Sequence, residues 1–182
     1  MKRIDTPLQD AFIIEPAIHG DARGFFLETW NRRTFAEMGL DLDFVQDNHS
    51  RSRHGILRGL HYQTENTQGK LVRVSAGEVF DVIVDMRKSS SSFGQWSGFT
   101  LSAENQHMLW VPPGFAHGFY VVSEYAEFLY KCTDYYNPKA EISLRWDDPT
   151  LAIAWPLKAG DPPLLSDKDR NGVLLDQAPL FD

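Results

Sequence analysis

Short runs of β-branched and aromatic residues, broken at close intervals by turn formers, constrain this chain more than any other feature. Residues 70–86, K-L-V-R-V-S-A-G-E-V-F-D-V-I-V-D-M, hold two such runs around Ala76-Gly77 and read as a hairpin. Similar runs lie at 96–101, 107–112, 117–122, 126–133 and 142–146, with Ser89 to Ser92 and Pro112-Pro113-Gly114 among the turns between them. Many short strands at this spacing predict an all-β sandwich or barrel. Helix is scarce. N-R-R-T-F-A-E-M-G, residues 31–39, has Asn31 as N-cap and Gly39 past its end, and a second helix is expected to start at Ser166, with Asp169 at capping-box spacing. Residues 147–182 are proline-rich with little alternation and read as a tail wrapped on the barrel, so the 182 residues are expected to form one domain.

A formal net charge of -7 argues against nucleic acid as partner, because that binding relies on clustered cations. A small anionic ligand would instead need a local basic pocket. The single cysteine, Cys132, allows no intramolecular disulfide and no multi-cysteine metal site. No apolar run follows the opening M-K-R-I-D-T and none is long enough to span a bilayer, so no membrane partner is expected and the cytoplasm is the expected location.

Polar residues interrupt several of the runs. In G-I-L-R-G-L-H-Y-Q, residues 55–63, Arg58 and His61 are three apart and would face opposite ways in a regular strand. His61 is either a packed ring or a general base. Asp169 is either a helix cap or the carboxylate that fixes a histidine tautomer. Lys70 is either a solvated strand-end lysine or a cation beside a developing oxyanion. Tyr130, on one face with Phe128 and Cys132, is either a packing aromatic or a proton donor. P-x-G-x-x-H at residues 112–117 is similar to the second half of the cupin signature, but the six histidines include no H-x-H pair. A three-histidine metal site is therefore not supported, and His117 reads as a ligand contact or a packed residue. Arg23, Arg58, Lys70 and Lys168 are the cations a diphosphate would need, with Gln46 and Asn48 suited to a base or sugar edge.

D-x-R-G-F-F-x-E, F-V-Q-D-N-H-S, L-R-G-L-H-Y-Q, the K-L-V-R that follows, V-P-P-G-F-A-H-G-F, A-E-F-x-Y-K and L-S-D-K-D stand in order from about residue 4 to residue 170. Together they resemble the dTDP-4-dehydrorhamnose 3,5-epimerase family. The resemblance implies a metal-free cupin jelly roll, no cofactor, a homodimer, and a thymidine-diphosphate 4-keto-6-deoxyhexose as substrate. It implies that His61 is the proton acceptor held by Asp169, that Tyr130 is the proton donor and that Lys70 faces the keto oxygen. Arg23, Glu28, Gln46, Asn48, Arg58, His117, Glu141 and Lys168 match positions that contact the nucleotide sugar, with Tyr136 near the base. It also implies that the N-terminal segment carrying Arg23 and Glu28 crosses to the neighbouring subunit. His19 departs from the pattern, standing where several relatives have Phe. A 3-epimerase, a 3,4-ketoisomerase or a non-catalytic sugar-nucleotide binder would share much of this pattern. Tyr130, as a donor for C5, favours the double epimerase over a single-centre enzyme, and the set of His61, Asp169, Lys70 and Tyr130 speaks against a mere binder, since binding alone needs no base. If Arg58 and His61 meet one ligand, the strand must break its alternation, and Gly59 is the expected place for a bulge.

Overall fold

The structure is a computed structural model describing residues 1–158 and 160–182. Its strands are β1 (Lys2–Asp5), β2 (Phe12–Glu15), β3 (Ile18–Asp21), β4 (Gly24–Leu27), β5 (Gln46–Arg53), β6 (Leu57–Gln63) and β7 (Lys70–Ala76). They continue with β8 (Glu78–Asp85), β9 (Trp96–Ser102), β10 (Met108–Val111), β11 (Phe115–Val121), β12 (Tyr125–Cys132) and β13 (Glu141–Ser143). Helix α1 spans Arg32–Glu37 and α2 spans Asp167–Arg170, capped by the Asn31 and Ser166 side chains as the sequence predicts. A six-stranded antiparallel sheet, β1-β2-β10-β7-β12-β5, faces a five-stranded one, β13-β6-β11-β8-β9, in a cupin-type jelly roll. The hairpin β3-β4 stands apart as a separate two-stranded sheet.

Alternation explains the layers. In β7, Val72 and Val74 point into the inter-sheet core while Leu71 joins a cluster on the outer face, under Phe35 of α1. In β8, Val79 and Ile83 point inward and Val82 and Val84 outward. Leu151 and Ala178, with Trp155, Val173 and Phe181, cover that outward face, so these parts of the C-terminal segment pack on the five-stranded sheet.

The expected hairpin at Ala76-Gly77 is not formed: β7 and β8 lie in opposite sheets, and Gly77 is the corner between them. A tight hairpin needs two central residues to reverse the chain. A single glycine at φ 74°, where a Cβ would lie 1.9 Å from the Tyr125 carbonyl oxygen, carries the chain across the layers instead.

The strand β6 does break its alternation. His61 pairs with His117 and Arg58 with Phe119, so Gly59 and Leu60 oppose the single residue Gly118, which is a β-bulge. Gly59 has φ 113°, and a Cβ there would meet the Gly118 Cα at 2.6 Å. The extra residue turns Leu60 and Tyr62 toward the outer cluster and leaves Arg58 and His61 lining one cavity.

Candidate active site

The parity that fills one end of the sandwich with valine brings polar side chains to the other. Lys70 begins the inward row of β7, Tyr130 and Cys132 end that of β12, and Gln46 and Asn48 begin that of β5. Opposite them lie His61 on β6 and His117 on β11. Lys70, Tyr130, Gln46, Asn48, His61 and His117 enclose a cavity of about 850 Å³, whose wall is completed by Tyr136, Glu141, Lys168 and Asp169.

His61 and Asp169 are 108 residues apart in sequence, and the packed C-terminal segment joins them: His61 Nε2 lies 2.5 Å from Asp169 Oδ1. Asp169 is 3% exposed, and its other oxygen accepts from the Ser166 hydroxyl at 2.7 Å. Burial acts to raise the Asp169 carboxyl, but the hydrogen bond and charge of His61, with Ser166 and Lys168, outweigh it and hold the group below its ordinary value. An ionised carboxylate only accepts, so it keeps a proton on Nε2 and leaves the Nδ1 lone pair of a neutral ring free. Asp169 thus takes part in the helix cap and in the dyad at once.

The Tyr130 hydroxyl makes no hydrogen bond among the described residues, and burial pushes its pKa up, assisted by Cys132 and opposed by Arg58. It therefore stays protonated at neutral pH. Burial lowers the Lys70 pKa against the pull of Cys132, Glu141 and Asp81. Both carboxylates have other partners: Glu141 accepts from Lys168 at 2.8 Å and from the Tyr136 hydroxyl at 2.9 Å, and Asp81 lies 3.0 Å from His117 Nε2. Arg58 donates through Nε to Ser52 Oγ at 2.9 Å, at the cavity wall. Gln46 donates to Asn48 Oδ1 at 3.1 Å, and Asn48 donates to Cys132 Sγ at 3.6 Å.

Two of the sequence-derived residues lie elsewhere in the chain's own fold. Arg23 and Glu28 sit on and just after the β3-β4 hairpin, where Arg23 pairs with Asp21 and Glu28 accepts from Asn31. His19 is exposed on the same hairpin. In the other direction, sequence reading passed over Asp81, Gln63 and Gln68. Asp81 was detectable as an acid on the inward parity of the apolar run E-V-F-D-V-I-V-D.

The cavity thus combines an oriented imidazole, an unpartnered phenol and a desolvated ammonium under a cationic rim, a set suited to moving protons on an anionic ligand. The sequence model of the dTDP-4-dehydrorhamnose 3,5-epimerase family matches residues 5–177. The chain belongs to that family. An epimerase of this name from Pseudomonas aeruginosa is 56% identical over all of this chain and 99% of its own. One from Neisseria gonorrhoeae is 57% identical over 98% of this chain but only 54% of its own, so the chain spans about half of that relative. The solved dTDP-6-deoxy-D-glucose-3,5-epimerase of Legionella pneumophila, in complex with dTDP-4-keto-L-rhamnose, is 54% identical with a TM-score of 0.94, covering 98% of this chain and 94% of that one. A 3′-monoepimerase from Streptomyces bikiniensis, solved with dTDP-quinovose, is 34% identical with a TM-score of 0.87 over 94% of this chain and 86% of its own. Epimerases of one centre and of two therefore share the family fold, and the higher identities here are to 3,5-epimerases.

Proposed function

We propose that the chain epimerises dTDP-4-dehydro-6-deoxy-D-glucose at C3 and C5 to dTDP-4-dehydro-L-rhamnose. The observation that carries this is the joint placement of the His61–Asp169 dyad, the free Tyr130 hydroxyl and Lys70 around one cavity. Hydrogens on C3 and C5 are acidic because each carbon is α to the C4 ketone. His61 takes one such proton, the electron pair moves onto O4 as an enolate, and Lys70 meets that charge. Tyr130 then gives a proton to the opposite face of the carbon, and proton exchange with water restores both groups. Both enolates place their charge on the same oxygen, so one lysine serves both centres. The sequence balances with no redox step.

Arg58 and Lys168 hold the diphosphate, Gln46, Asn48, His117 and Glu141 contact the nucleotide sugar, and Tyr136 lies by the base. The working form is a homodimer in which Arg23 and Glu28 reach the partner's cavity. A cytoplasmic location fits the free, buried Cys132. The test is incubation with dTDP-4-keto-6-deoxyglucose in heavy water, following deuterium at each carbon by NMR. Incorporation at C3 and C5 is expected. Exchange at C3 alone would point to the monoepimerase reading, and none at either would refute the reaction.

A further inference from the structure

The segment Asp134–Asn137, between β12 and β13, has no regular structure of its own, yet its main chain is held by three glutamine side chains from the cavity wall. Gln68 Nε2 donates to the Asp134 carbonyl at 2.8 Å, and Gln46 Oε1 accepts from the Tyr136 amide at 2.9 Å. Gln63 grips the segment at two points: its Nε2 donates to the Tyr135 carbonyl at 3.2 Å and its Oε1 accepts from the Asn137 amide at 3.0 Å. The same Nε2 donates to the Asn66 carbonyl at 2.7 Å, tying the turn after β6 into the grip. Gln63 is 5% exposed, and its amide nitrogen is committed to backbone, so it has little left to offer a ligand.

Between the two points of this grip stands Tyr136. The residue is 51% exposed at the cavity wall, and among the described residues its ring belongs to no packed cluster and is anchored at its far end only by the hydroxyl bond to Glu141. An aromatic face left open in this way suits a planar heterocycle. The ring's position depends on the main chain that carries it, because neighbouring side chains do not pack it in place.

We infer that Gln63 is a positioning residue for nucleobase recognition, holding the 134–137 segment so that the Tyr136 ring is a preformed platform. This rests on the dTDP-sugar reading above. A segment ordered before binding spares the ligand the cost of ordering it. Loss of the grip weakens binding and leaves the proton transfers alone, because Gln63 touches none of the groups that carry them.

The experiment measures dTDP affinity by calorimetry, with KM and kcat for the sugar nucleotide, in wild type, Gln63→Met, Tyr136→Ala and the double variant. Gln63→Met is expected to raise the Kd for dTDP and the KM together, by about 5- to 20-fold, with kcat held within about twofold. Tyr136→Ala should do the same, and the double variant should bind no more weakly than Tyr136→Ala alone, because both changes act through one ring. An unchanged Kd in Gln63→Met, a fall in kcat at constant KM, or fully additive losses would each overturn the inference. If Gln63→Met does not fold, Gln68→Met, which releases only the Asp134 carbonyl, should show a smaller rise in Kd, and no rise would overturn it equally. Wild-type protein that fails to bind dTDP would refute the substrate reading instead, before any variant is compared.

Discussion

At Lys70 the chain sets an ammonium among protein atoms while the carboxylates that act on it, Asp81 and Glu141, are bonded to His117 and Lys168. Its pKa is depressed, and the sign of the consequence for stability follows. Below the folded-state pKa both folded and unfolded chains carry the charge, so the full cost of desolvating it is present. Between that pKa and the ordinary lysine value of 10.5 the unfolded chain binds more protons, and stability gains as pH rises. Lys70→Met should therefore be more stable than wild type at pH 7, by about 1 kcal/mol, while losing about 10²–10³-fold in turnover. The stability gap should narrow toward pH 10.5 in urea titrations. A variant less stable than wild type at pH 7 would mean that Asp81 and Glu141 more than offset the desolvation. At this scale the sequence was legible wherever a polar residue broke an apolar run, as His61, Lys70, Tyr130 and His117 do. His61, Asp169 and Tyr130 each kept two readings until their surroundings were known, because the residue type alone does not say which side chains converge on it.

Strand existence is also local information, and strands β7 to β12 lie close to where the β-branched runs place them. Pairing is not local. The Ala76-Gly77 reversal looked like a hairpin because both flanking runs were long and apolar; what decides otherwise is the Tyr125 backbone packed against Gly77 from a distant strand. At β6 the parity argument did reach through to tertiary structure, since two polar residues three apart can share a cavity only if one residue is added between them. The bulge in turn depends on close backbone approach: a Cβ on Gly118 would lie 2.5 Å from the Arg58 carbonyl oxygen, and one on Gly59 2.6 Å from the Gly118 Cα. Gly59→Ala should then cost about 2–4 kcal/mol, combining an unfavourable φ with a backbone clash that no side-chain rotation relieves. Gly94→Ala is the control. Gly94 has φ 71° but nothing within 4 Å of its missing Cβ, so only the conformational cost of about 1–2 kcal/mol applies. Equal losses in thermal denaturation of the two variants would show that the strand crossing at Gly59 contributes nothing.

The molecule as a whole puts residues from both ends of the chain to different use. The C-terminal segment is built into the sandwich: the Tyr62 hydroxyl donates to the Pro179 carbonyl at 2.7 Å, and the buried Asp148 carboxylate accepts from the Thr150, Leu151 and Leu175 amides. That packing delivers Asp169 to His61, a juxtaposition that the residues alone left open and that only the family resemblance implied. The N-terminal hairpin is the opposite case. Ile18, Phe25 and Phe26 are 48%, 62% and 70% exposed, and among the described residues no element pairs with β3 or β4 other than each other. An apolar hairpin carrying Arg23 and projecting from the sandwich is the form expected of an arm that docks on another copy. If Arg23 serves the partner's cavity and His61 its own, the two residues of any one working site come from different chains. Arg23→Ala and His61→Ala homodimers should each be impaired, His61→Ala to background. Mixed and allowed to exchange subunits, they should form heterodimers with one doubly damaged site and one intact site, restoring about a quarter of wild-type turnover at equal input. The activity should appear on the timescale of subunit exchange and scale with the heterodimer fraction measured by native mass spectrometry. If Arg23 instead served the cavity of its own chain, every site in every mixture would carry one lesion, and mixing would give only the average of the two parents.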